Sequence, residues 1–184
     1  MNHMVDTQPS LILDIPKFEN VFEAIIDFFK DIKTKIVSLN EVEARNEVIL
    51  ESQKNILLSN LDFMITTTRG FEKENENLPK HSYILIRLKD MVDILLSENG
   101  FIIQKMDLLL EILSLYQHSL NKMEKIASSN KLTEDNMIFS VNSEFEKFSN
   151  DFTDKEMEFY SFVEDDDTYK NSITSTYNLL KEID

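Results

Sequence analysis

The chain has 184 residues and a mass of 21.6 kDa, with 34 acidic against 19 basic residues, a formal net charge of −15, and 42% hydrophobic residues. With only 2 glycines and 3 prolines, it lacks the turn residues of β-sandwiches, barrels and doubly wound folds and cannot build a phosphate-cradling glycine loop. Its acidity disfavours direct binding to nucleic acid, and the absence of cysteine excludes disulfides and thiolate metal sites.

Such a composition predicts an all-α chain of long helices with few connections. Residues 1–15 lack helical periodicity and are expected to form an extended N-terminal arm. Pro9 and Pro16 bracket its apolar stretch, and Pro16 suits the first turn of a helix, where a missing N–H costs nothing. From Phe18 the apolar side chains recur in steps of three and four, through Phe22, Ile25, Phe29, Ile32, Ile36, Leu39 and Val42. The phase continues through Asn46, Ile49, Leu57, Leu61 and Met64. A period near 3.5 is the mark of a packed helical seam, and it predicts one coiled-coil-like helix over about 16–68. Ser38 and Glu41 have capping-box spacing, but the unbroken phase argues for continuity. Residues 69–80, polar and containing Gly70 and Pro79, are expected to be a loop.

A second seam runs through Leu85, Leu88, Val92, Leu95, Asn99, Ile102, Met106, Leu109, Leu113, Tyr116, Leu120 and Met123. It predicts a helix over about 80–128, with a weak point at Asn99–Gly100, a pair that resembles a helix stop. After a loop at Ser128–Asn130, Thr133 is the expected N-cap of the next helix, with Glu134 and Asp135 in the favourable first turn. The third seam, from Ile138 through Phe145, Phe148, Phe152, Phe159 and Tyr169 to Leu180, predicts a helix over about 133–182. Together these give a single domain over 16–184, an elongated antiparallel three-helix bundle. Breaks at Ser38 and Gly100 are the alternative, and they would yield a shorter bundle of more helices.

Few residues suggest chemistry. Asp151 with Asp154, and Glu164 with Asp167, have the i, i+3 spacing that could share a divalent cation. They resemble the carboxylate motifs of all-α nucleotide pyrophosphatases, but both pairs lie on one helix, so a solvated face is the expectation. Of the three histidines, His3 lies in the arm, His81 next to Pro79 in a loop and His118 off the seam; all are expected at the surface. No catalytic residue, metal or cofactor is therefore expected.

Charge is uneven: residues 133–184 carry 14 acids against 4 bases. The run Glu164, Asp165, Asp166, Asp167, with the neighbouring aromatics Phe159 and Tyr160, is the expected contact for a basic protein partner. Phe139, Phe159 and Tyr160 lie around the helix and cannot all face one seam. Asn46 and Asn99, placed within the seams, are expected to form a polar layer that fixes helix register. No apolar run approaches the ~20 residues of a membrane span, and a cytoplasmic protein is expected, with export lacking a cleaved signal as the alternative. The composite expectation is a non-enzymatic interaction or assembly protein that also self-associates. Its alternatives are an acidic inhibitor or immunity-type protein imitating nucleic-acid charge and, further off, a metal-dependent nucleotide hydrolase.

Overall fold

A computed structural model describes residues 15–37, 46–97 and 103–162. Among the described residues all regular structure is helical, in five helices: α1 (Ile15–Val37), α2 (Asn46–Glu74), α3 (His81–Ser97), α4 (Ile103–Ala127) and α5 (Glu134–Ser161). The expectation of three long helices is corrected on this point. Lys17 Nζ of α1 lies 4.7 Å from the centroid of the Phe63 ring of α2, where one straight helix would separate the two residues by ~69 Å. His81 of α3 and Tyr116 of α4 are joined by a 2.6 Å hydrogen bond instead of lying ~52 Å apart. Each pair is thus an antiparallel hairpin. A shared 3.5-residue phase does not require one continuous helix, because two helices facing a common core keep the same buried stripe.

The predicted seams are the buried stripes. Phe18, Phe22, Ile25, Phe29 and Ile32 are buried on α1, and Leu57, Leu61 and Met64 on α2. Leu85, Leu88, Val92 and Leu95 line α3, Met106, Leu109, Leu113, Tyr116, Leu120 and Met123 line α4, and Val141, Phe148, Phe152 and Phe159 line α5. Residues on these stripes belong to one contiguous apolar core. At roughly 1.5–3 kcal/mol for each large apolar side chain taken out of water, that core is the main force holding five helices together.

Successive helices alternate in direction. Helices α1, α2, α3 and α4 close a ring, each packed on the next and α4 on α1. Gln117 donates to Glu23 and Lys33 pairs with Asp107 across the α1–α4 contact. Helix α5 has its most extensive contact with α4. Ser119 donates to Glu144 at 3.1 Å and Lys155 to Glu111 at 2.6 Å along that line. Arg87 of α3 reaches α5 as well, donating from Nε to Glu156 at 3.0 Å and from Nη2 to the Thr153 hydroxyl at 3.2 Å.

Helix ends follow local chemistry. Pro16 sits in the first turn of α1 and Ile15, at the end of the expected arm, is helical and buried. The rest of the arm, and residues 163–182 of the expected third helix, lie outside the described residues. Thr133 is the N-cap of α5, its hydroxyl accepting from the Asn136 N–H at 3.2 Å. The loop expected at 69–80 is shorter, because α2 runs through Gly70 to Glu74. Its last turn is held by Phe71, packed against the core, and by the buried Glu72.

Candidate functional site

Two places in the bundle collect side chains beyond simple apolar packing. The first is internal. Glu72, in the last turn of α2, is buried, and its carboxylate accepts from the Ser82 backbone N–H at 2.8 Å and from the Ser82 hydroxyl at 2.6 Å. A carboxylate at the N-terminus of α3 satisfies a donor that the helix cannot pair internally and faces the positive end of its dipole. Beside it His81, also buried, shares its 2.6 Å hydrogen bond between Nδ1 and the Tyr116 hydroxyl.

Aromatic rings enclose this pair. The His81 and Tyr116 rings lie nearly parallel, 5.8 Å apart, and Phe148 stacks on Tyr116 at 4.4 Å. Phe145 and Phe18 present edges to His81 at 4.7 and 6.0 Å. Counting Glu72, all five helices meet here. Burial holds the His81 imidazole neutral, its pKa pushed down to about 3, and pushes the Tyr116 hydroxyl well above its ordinary value, with the Glu72 charge adding to the effect. Both groups are held in their neutral forms at neutral pH, and the hydrogen bond between them joins α3 to α4.

The second place is the outer side of α5 and its junction with α3. An open cleft of about 480 Å³ lies between the α2–α3 loop, α3 and α5, lined among others by Lys80, Tyr83, Arg87, Asn142, Phe145 and Ser149. Asn142 Nδ2 donates to the Asn77 carbonyl at 2.9 Å, which ties the loop to α5. Arg87 lies over the Phe152 ring at 4.7 Å and is bound by Glu156, so its charge is already matched. Tyr83 is 66% exposed, Phe139 72% and Met157 68%. They are among the large apolar side chains exposed on the described surface.

The residues singled out in the sequence differ in placement. Phe159 is fully buried, with Lys105 Nζ 4.6 Å from its ring centroid, so it presents nothing to a partner. Tyr160, at the surface edge, packs on Phe159 at 5.3 Å; its hydroxyl is raised by partial burial and by the charges of Glu156 and Asp90. Glu164, Asp165, Asp166, Asp167 and Asn99 lie outside the described residues, and Asn46 is the first residue of α2. Asp151 and Asp154 are exposed, and among the described residues no cluster of three or more His, Asp or Glu could hold a metal ion.

His81 is a correction: it is in the core, not at the surface. The sequence did carry the signal. His81 precedes Leu85, Leu88 and Val92 at the spacing of the α3 seam, so the seam starts four residues before its first apolar member. Glu72 likewise continues the stripe of Leu61, Met64 and Thr68, and both Thr68 and Glu72 are polar but buried. A search of protein families, curated proteins and solved structures found no match to this chain.

Proposed function

We propose that this chain is a non-enzymatic helical interaction protein, which binds a protein partner through its helical faces. The observation that carries the reading is the exposure of Phe139 and Met157 on α5, with the buried ionisable groups His81, Tyr116 and Glu72 engaged with neighbours in the core. Large apolar side chains at a surface stabilise association when a partner removes them from water. Self-association belongs to the same reading. It is opposed by the net charge of −15 and so strengthens as added salt screens like-charge repulsion. A cytoplasmic setting also belongs to it and suits a chain without cysteine.

A second reading, an acidic inhibitor that imitates nucleic-acid charge, is favoured by the excess of 14 acids over 4 bases in residues 133–184. Chemical cross-linking in the native cell, followed by mass spectrometry, separates the readings. The expected result is a stoichiometric protein partner cross-linked to lysines on the helical surfaces and retained in high salt. A partner released steeply as salt rises supports the inhibitor. Recovery of no stoichiometric partner, together with Mg²⁺-dependent nucleotide hydrolysis abolished by Asp151→Asn, contradicts both.

A further inference from the structure

Helix α5 has an outward face centred on Phe139 and Met157, bordered toward α3 by Thr153, which accepts from Arg87, and by Asn142, which donates to the Asn77 carbonyl. Phe139 and Met157 are 18 residues apart, five full turns, so they point in the same direction ~27 Å apart along the helix. Within about 60° of that direction lie the acids Asp135, Glu146 and Asp154, all exposed, and no Lys or Arg. Tyr160 closes one edge of the strip, beside the cleft that Tyr83 lines. Arg87, at the α3 edge of the strip, is engaged with Glu156, and the exposed Lys147 flanks the other edge, about 80° from that direction.

Resting on the reading above, we propose that this face of α5 is the docking surface for a basic amphipathic helix of a partner protein. Its apolar side chains would cover Phe139 and Met157 and enter the cleft beside Tyr83, while its Lys or Arg side chains meet Asp135, Glu146 and Asp154. Charge complementarity selects this occupant. A second copy brings the same acids to the same strip, and a nucleic-acid backbone or an anionic lipid surface is repelled by it. Helix-in-groove recognition commonly combines such apolar anchors with flanking charge.

The test uses the full chain and a fluorescein-labelled 20-residue probe peptide of leucine, lysine and alanine, its leucines on one helical stripe with lysines beside them. Affinity is measured by anisotropy from 50 to 300 mM salt. The variant Phe139→Ser with Met157→Ser should weaken binding at least tenfold and leave the salt dependence intact. The variant Asp135→Asn, Glu146→Gln, Asp154→Asn should weaken it at least tenfold at 50 mM salt and flatten the salt dependence. The control Glu23→Gln, Asp27→Asn, Glu124→Gln removes three exposed charges from other helices and should change affinity less than threefold. All substituted side chains are exposed, and an unchanged circular dichroism melt verifies each fold. Equal loss from the two charge variants would show attraction to net charge alone and overturn the proposal. Full binding by the Phe139/Met157 variant would overturn this face while leaving the interaction reading in place. No binding by any form at 50 mM salt would overturn both. A doubled mass in light scattering, abolished by Phe139→Ser with Met157→Ser, would assign the face to a second copy and overturn the basic partner.

Discussion

His81 cannot take up a proton without breaking the cage that surrounds it. Its pKa is held down to about 3 in the folded chain, against about 6.5 when unfolded. The unfolded chain therefore binds the proton first as pH falls, so stability is full above about pH 6.5 and is lost between there and about pH 3. The slope reaches about 1.4 kcal/mol per pH unit, which predicts a loss of about 2 kcal/mol between pH 6.5 and 5. Urea denaturation at both values measures it. The variant His81→Gln should lose that part of the pH dependence, and an unchanged profile would show that His81 titrates freely. Glu72 poses a different question at the same scale. Its carboxylate accepts both hydrogen bonds from Ser82, so Glu72→Ala leaves buried donors unpaired. A loss of about 2–3 kcal/mol is expected by the same denaturation measurement, with Glu72→Gln milder because the amide oxygen still accepts.

At the scale of the helix, the N-terminus of α5 and the body of α2 offer separate checks. Thr133 caps α5, its hydroxyl accepting from the Asn136 N–H, and Thr133→Ala should cost about 1 kcal/mol. Gly70 lies inside α2, and a methyl group added there meets nothing within 4 Å. Gly70→Ala should therefore raise stability by about 0.5–1 kcal/mol, seen as a higher urea midpoint at constant slope. A drop would mean that the helix does not pass through residue 70. Much of this scale was legible in the sequence. The seams of Phe18 to Ile32, of Leu85 to Leu95 and of Met106 to Met123 are the buried stripes, and the Thr133 cap stands where its pattern put it. The places where a stripe changes helix are legible only as the alternative, through the capping-box spacing at Ser38 and the stop-like Asn99–Gly100 pair. The unbroken phase outweighs those signals, yet the helices do end at Val37 and Ser97 and restart at Asn46 and Ile103. Leu39 and Val42 keep the phase across the region between α1 and α2, and Asn99 keeps it between α3 and α4, so periodicity alone cannot register a reversal. The internal site was hidden for a related reason: a histidine and a glutamate on a seam are polar, and only their position relative to Leu85 and Leu61 marks them as buried.

For the molecule as a whole, the functional reading depends on topology. Helix α5 presents Phe139 and Met157 outward because its other side packs on α4 and is bound by Arg87 of α3. That arrangement exists only if α1–α2 and α3–α4 are hairpins; three long helices would place the same seams in a rod of ~75 Å. The longest described helix has 29 residues, or ~44 Å. Because the chain has no cysteine, spin labels can be placed at chosen positions without background. The most direct test is double electron–electron resonance on two double-cysteine variants, Asn20→Cys with Asn60→Cys and Tyr83→Cys with Ser114→Cys, all at exposed positions. With antiparallel helix axes 8–10 Å apart, both label pairs should lie within about 25 Å. Separations near ~60 Å for the first pair and ~46 Å for the second, the values of uninterrupted helices, would contradict the five-helix bundle and the α5 face built on it.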